Sequence, residues 1–313
     1  MKMERTTSEE GAQAAPAPFG TYPVSPLHRW LWYYTHASIV KKRSAPSRAA
    51  QRLRRSAAKR LLPLTNVAPP FDVEPWPGVR LRLDPRDNTT DRHAMGGRPA
   101  WSEEDADALR RAIARVPDGV LHYVDVGANT GIYSAFVAGL ARAADVTLRP
   151  VCIEPQPLLV DRLRTNLVFA GIDPSVVRAE GTGPVEGIVR MDVSQGRNLG
   201  KASMREARLA TSDKMIEVPC RPLAAILSES GLPRVDVMKV DIEGLEVPAL
   251  SSFFAEAPRE LHPRTVLIEI AIDPEGSIHE MMTTNGYVRV HANPSDAIYE
   301  REDRTGGWVE QDH

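Results

Sequence analysis

Cysteine is almost missing from this 313-residue sequence: it has two, Cys152 and Cys220, and no histidine or acid spacing joins them into a metal motif. A disulfide framework is thereby excluded, and a reducing compartment suits the chain. Long apolar runs are lacking too. No stretch approaches the roughly 18 residues needed to cross a bilayer. Residues 1–20 are polar and carry acids, without the apolar segment of a secretory signal, so a cytoplasmic protein is expected. No sign of charge dominates either. The net charge is −2, and no overall field calls for nucleic acid. With 42% hydrophobic and 26% charged residues, the chain has the apolar content for a core and is not globally disordered.

What is present divides near residue 66. Residues 1–66 form an extension in which an aromatic cluster (Trp30, Trp32, Tyr33, Tyr34) precedes an acid-free basic segment at 41–62. Read as a helix from Arg48, that segment puts Ala49, Leu53, Ala57 and Leu61 on one stripe, with arginines elsewhere. Residues 67–120 form a pre-domain segment. Its "PPFDVEPWPG" is expected to resist regular structure, and "VRLRLD" (79–84) alternates like a strand. "SEEDADALRRAIARV" (102–116) reads as a helix capped by Ser102.

From Leu121 the pattern becomes strand and helix in alternation. Strands are expected at 121–126, 149–154, 175–180, 235–241 and 264–270. Helices fall after the first, second, fourth and fifth, and the chain closes on paired strands around "YVRVH" and "AIYER". Residues 185–220 are polar and turn-rich, as hairpins or a loop. Repeated units of this kind imply a mostly parallel sheet with helices on both faces. Ligands of such sheets sit outside the carboxyl ends of the strands, where strand order reverses. Those ends are Asp125, Glu154, Glu180, Asp241 and Glu269, all acidic. A phosphate would be repelled there. The turn "GANTG" also lacks the Lys-Ser/Thr ending of a phosphate loop. With Asn129 and Thr130 in its middle, it departs from the G-x-G-x-x-G dinucleotide pattern as well. A cationic cofactor with a ribose and an amino-acid tail, such as S-adenosylmethionine, fits the pattern better.

The segments "VDVGANTGIYS", "CIEPQPLLVDRLRTNLVFAG", "VDVMKVDIEGLEVPAL" and "VLIEI" follow in an order and spacing that resembles the FkbM family of S-adenosylmethionine-dependent methyltransferases, over about residues 120–290. The most specific piece is K-x-D-x-E-G-x-E, made by Lys239, Asp241, Glu243, Gly244 and Glu246. The resemblance implies a class I, Rossmann-like α/β fold with a mostly parallel seven-stranded sheet whose last strand is antiparallel. It makes residues 121–313 the methyltransferase domain, with methyl transfer to a hydroxyl of a sugar or natural product. Gly127, Asn129 and Gly131 would then lie against the methionyl end of the cofactor and Asp125 at its amino group. Glu154 would take both ribose hydroxyls, and Glu180 the adenine amino group.

Asp241 and Glu243 stand where a transferred methyl would face them and are the first candidates for a general base, with helix capping as their structural alternative. His93, in the loop-like "TTDRHAMGG", is a third candidate. Glu269 could wall the site or pair with an arginine, and Asn166 could be a site residue or a surface amide. The paired carboxylates could also hold a divalent ion, although no strong metal spacing is present. The expected partner is a small-molecule or glycan acceptor. A lipid-linked glycan, a protein or an RNA acceptor are alternatives, as are an NAD-dependent oxidoreductase and a non-catalytic binding module. Nucleic acid is not expected. The aromatic and basic residues of 28–62 suggest peripheral contact with an anionic membrane.

Overall fold

The computed structural model describes residues 15–36, 47–65, 67–97, 103–193, 215–271, 273 and 275–302. Two helices, α1 (Pro26–His36) and α2 (Arg48–Leu61), lead into a hairpin of β1 (Phe71–Trp76) and β2 (Val79–Leu83). Helices α3 (Thr89–Met95) and α4 (Glu103–Ala114) follow. The alternating part then runs β3 (Val120–Val126), α5 (Ile132–Ala143), β4 (Thr147–Ile153), α6 (Pro157–Phe169) and β5 (Val177–Arg178). Three strands, β6 (Gly181–Thr182), β7 (Gly187–Asp192) and β8 (Met215–Arg221), interrupt it. It resumes with α7 (Leu223–Glu229), β9 (Val237–Val240), α8 (Glu246–Glu256), β10 (Thr265–Glu269), α9 (Ser277–Thr284), β11 (Tyr287–Ala292) and β12 (Asp296–Arg301).

The main sheet has seven strands in the order β11–β12–β10–β9–β3–β4–β5. Strand β12 is antiparallel to both neighbours, and the five from β10 to β5 are mutually parallel. Central β3 is buried along almost its whole length, as an apolar strand covered by helices on both faces should be. One face packs α7, α8 and α9 against Val240, Val266 and Ile268; the other packs α4 and α5 against Leu121, Tyr123 and Leu267. The chain moves outward from β3 through β4 to β5, then returns to lay β9 and β10 on the other side of β3. The strand order therefore reverses between β3 and β9, and the site expected from that reversal lies over their carboxyl ends.

Several local expectations are corrected. The proline-rich 69–78 does contain a strand. Pro75 is tolerated in β1 because the pairing with β2 loses register between Val73 and Trp76, so its missing N–H costs no ladder bond. The third strand is only Val177–Arg178; the chain then leaves the main sheet, and β6 pairs with β8 instead. The polar segment 185–220 supplies the antiparallel pair β7–β8. Residues 194–214, with "GKASM", and the expected cap Ser102 lie outside the described residues. The stretch around His93 is a helix, α3, capped by Asn88.

The extension is docked on the domain. Trp32 joins Phe71, Val73, Leu81, Leu83, Ile132 and Ala135 in one cluster, its ring centroid 5.9 Å from that of Phe71. Arg29 Nε donates to the carbonyl of Met95 at 3.1 Å, and Leu31 is fully buried. Both cysteines are free and buried, and no helix among the described residues is long and apolar enough to cross a membrane. Removing the Trp32 side chain should therefore destabilise the whole domain. Trp32→Ala is expected to cost about 3–5 kcal/mol in urea unfolding. An unchanged midpoint would show that α1 contributes nothing to the fold.

Candidate cofactor and acceptor site

The turn after β3 is built from backbone because side chains do not fit there. Gly127 has φ +81°, and a Cβ on it would stand 1.9 Å from the carbonyl oxygen of Asp241. Gly131 has φ +76°, and a Cβ there would meet Leu163 Cδ1 at 2.6 Å. Asn129 between them is also left-handed (φ 53°), a conformation that asparagine tolerates better than most residues. Side chains from three elements hold the turn. Asn88 Nδ2 donates to Asn129 Oδ1 at 2.6 Å, and Thr130 Oγ1 donates to Asp91 Oδ1 at 2.7 Å. Asn166 Nδ2 donates to the Thr130 carbonyl at 2.7 Å, while its Oδ1 accepts the N–H of Arg82 at 2.7 Å. Asn166 is fully buried. It is no surface amide but a pin joining α6, the turn and β2.

The acidic edge is real, and its members differ. Glu154 is buried, its Oε2 accepting the N–H of Asn129 and its Oε1 that of Gln156, both at 2.9 Å. Burial pushes its carboxyl up to about 7, although both hydrogen bonds favour the charged form. Asp125 lies beneath the turn, fully buried, accepting from Ser134 Oγ at 2.5 Å. Burial raises its carboxyl too, partly offset by Lys239, whose Nζ is 3.8 Å from Oδ1. Lys239 also reaches Asp241 Oδ2 at 3.3 Å and sits 5.5 Å from the Tyr133 ring centroid. Burial alone would lower its pKa, but Asp241 and Asp125 reverse that, and it ends raised.

Carboxylate oxygens of Asp241, Glu243 and Glu269 all lie within 4.8 Å of one another. Burial, then the charges of Asp241 and Glu243, raise the Glu269 carboxyl. The start of α8 is served by Glu246, which accepts the N–H groups of Ile242 and Gly244 at 3.0 and 2.9 Å. These bonds hold the loop ahead of α8, whose N-cap, Leu245, makes no side-chain hydrogen bond.

Two cavities open on this edge. One is lined by Ile153, Glu154, Pro155, Leu159, Thr182 and Met191; the other by Thr90, Asp105, Tyr133, Lys239, Glu269 and Asp296. Gly127, Asn129 and Asp241 line both and form the ridge between them. Asp125, His93 and Glu180 line neither. His93 is half-buried on α3, one turn beyond Thr90, and burial lowers its pKa. Glu180 points to Arg221, 3.8 Å away, while its neighbours Gly181 and Thr182 face the first cavity. Sequence reasoning passed over Thr90, Tyr133, Asp105 and Asp296. Asp296 had a readable signal: an antiparallel strand begins where its parallel neighbours end, and Asp296 opens β12 opposite Glu269. A broader cleft at the amino end of β4, lined by Thr147, Leu148 and Arg149, lies on the edge where such sheets do not bind ligands.

The residues fit S-adenosylmethionine. Each Glu154 oxygen has one lone pair engaged by backbone and another free for a ribose hydroxyl. The turn offers bare backbone, and the acid-lined second cavity suits a positively charged group. A pyrophosphate would meet Glu154, Asp241 and Glu243 instead.

Sheet order, glycine turn and acidic edge together define a class I, Rossmann-like methyltransferase that depends on S-adenosylmethionine. More particularly, residues 125–288 match the methyltransferase FkbM domain, more than half of the chain, and the protein belongs to that family. Among solved structures, it is similar to the precorrin-6y C5,15-methyltransferase of Geobacter metallireducens GS-15 (14% identity, TM-score 0.37, covering 65% of this chain and 90% of that one). It is also similar to the O-methyltransferase TomG of Streptomyces achromogenes, involved in tomaymycin synthesis (15%, 0.37, 67% and 86%). The magnesium protoporphyrin IX methyltransferase of Synechocystis PCC 6803, with S-adenosylmethionine bound, is a third (11%, 0.36, 64% and 79%). All three are distant. No curated protein matches the sequence.

The electrostatics predict a pH dependence. Glu154 has a folded pKa raised above its unfolded value, so its stability contribution is fully present below about pH 4.3 and is lost as pH rises through about 7. Glu154→Gln removes that loss. Relative to wild type, cofactor-free Glu154→Gln should gain stability between pH 5 and pH 8, by up to about 3 kcal/mol in urea unfolding. A difference that stays flat or falls with pH would place the Glu154 carboxyl in its ordinary range.

Proposed function

We propose that the protein transfers a methyl group from S-adenosylmethionine to a hydroxyl oxygen of a sugar or natural-product acceptor bound in the cavity beside Thr90. The observation that carries this reading is the position of Asp241. It lines both cavities, next to the turn, with carboxylate oxygens of Glu243 and Glu269 within 4.8 Å. When bound, the cofactor supplies an electrophilic methyl on a sulfonium. The rest falls to this chain. Glu154 orients the ribose, the backbone of Gly127 and Asn129 the methionyl end, and the walls of Thr90 and Tyr133 limit water.

An alcohol holds its proton tightly, so its oxygen attacks more readily when a carboxylate accepts that proton as the bond forms. The cluster of Asp241, Glu243 and Glu269 is suited to this as a unit, because three carboxylate oxygens within 4.8 Å offer the proton more than one acceptor. Lys239 balances one of the charges. The same three oxygens are close enough to grip a divalent ion, which is the second reading. Turnover unaffected by a chelator supports the protonic one.

Asp241→Asn should lower kcat by about 10²–10⁴-fold, measured as labelled methyl transferred to a panel of hydroxyl acceptors. Its affinity for S-adenosylmethionine by calorimetry should change less than that of Glu154→Ala, which loses two charge-assisted hydrogen bonds worth about 1.5–3 kcal/mol each. Equal loss of affinity in both variants would put Asp241 on the cofactor rather than on the acceptor. Binding of NAD but not of S-adenosylmethionine would overturn the reading altogether.

A further inference from the structure

Helix α2 turns most of its apolar stripe to the outside. The sequence puts Ala49, Leu53, Ala57 and Leu61 on one stripe, and of these only Ala57 is partly covered. Instead Ala58 is the fully buried residue, with Gln51, Arg55 and Leu62 partly covered beside it. Leu53 is 72% exposed and Leu61 48%, and Leu64, in the short turn that follows, is 79% exposed. On α1, which packs against α2, Leu27 and Trp30 are exposed as well. The two outward faces are continuous. Trp30 packs on Tyr34 with ring centroids 4.8 Å apart, and Arg54 of α2 stands 5.8 Å from the Tyr34 centroid and donates to its hydroxyl at 3.4 Å.

The charge around this stripe has one sign. Helix α2 carries Arg48, Arg52, Arg54, Arg55, Lys59 and Arg60 and no acid, in a chain whose net charge is −2. Arg52, Arg54, Arg55, Lys59 and Arg60 make no ion pair with any described residue. A helix with leucines out, arginines along their flanks and a tryptophan at the border has the two features that an anionic bilayer surface satisfies at once. The apolar side chains enter the headgroup–acyl boundary, and the cations stay with the headgroups. A protein groove would have to be both apolar and acid-rimmed to do the same. We infer that the outward face of α1 and α2 binds the surface of a membrane containing anionic lipid. No residue of α1 or α2 lines either cavity, so the function of this face is docking and not transfer.

The test uses the full chain and sedimentation with sucrose-loaded vesicles, either phosphatidylcholine alone or phosphatidylcholine with phosphatidylglycerol. Wild type should sediment with the anionic vesicles only, and the binding should weaken as salt shortens the screening length from about 10 Å at 0.1 M to about 3 Å at 1 M. A triple variant, Leu53→Ser, Leu61→Ser and Leu64→Ser, removes side chains that hold nothing in the fold. It should bind at least about tenfold more weakly with the thermal midpoint retained. Arg52→Glu with Lys59→Glu, which leaves the leucines in place, should lose anionic binding similarly. The proposal falls if wild type ignores anionic vesicles at low salt, or if either variant binds them as wild type does. It falls equally if wild type forms a dimer in sedimentation equilibrium that the leucine variant abolishes while no vesicle binding is seen, since the stripe would then belong to a second copy of the chain.

Discussion

The backbone of Gly127 lies so close to the carbonyl of Asp241 that no Cβ fits between them, and much of the site follows from that contact. It brings the carboxyl ends of β3 and β9 together where the strand order reverses. It forces the turn after β3 to climb through left-handed conformations at Gly127, Asn129 and Gly131. A turn of that shape leaves polar groups that its own helix does not satisfy, and buried polar groups need partners. Asn88, Asp91, Glu154 and Asn166 provide them, from the segment before the domain, from the end of β4 and from α6. The same contact sets Asp241 on the ridge between the two cavities.

A second constraint is electrostatic. Burial raises the carboxyls of Glu154 in the first cavity, of Glu269 and Asp296 in the second beside Lys239, and of Asp125 beneath the turn. Desolvating that many acids works against folding. A positively charged ligand that binds only the folded state returns stability through its own affinity. The structural lysine then keeps the rim tolerable in the ligand's absence while leaving Asp241 half exposed.

The sheet was legible because its strands are apolar runs punctuated by glycine and acid, and local spacing records that. β3, β4, β9 and β10 fall within a few residues of where the pattern places them, and the acidic strand ends do share one edge. What the pattern missed depends on partners far away in sequence. Pro75 is tolerated because of a register shift across a hairpin. Asn166 looks like an exposed helical amide until the turn and β2 are brought against it. Thr90 and Asp105 reach the cavity from helices ahead of the domain. His93 sits one turn further along the same helix as Thr90, and at that distance along the axis it lines neither cavity. In α2 the stripe itself was legible, and which side of it is covered depends on α1, which packs against it.

The hydrogen bonds from Asn88 and Asp91 to the glycine turn also bear on where this molecule can be cut or grafted. The family match begins at Asp125, and the strand pattern begins at Leu121, yet the groups that fix the turn stand more than thirty residues upstream, anchored by a hairpin that itself rests on α5 and Trp32. A chimera joined just ahead of β3 would inherit every strand of the main sheet and lose the clasp on its loop. The heritable unit of this enzyme is therefore longer than the stretch by which its kinship is recognised, and substitutions accumulating ahead of that stretch have a direct mechanical route into the cofactor turn.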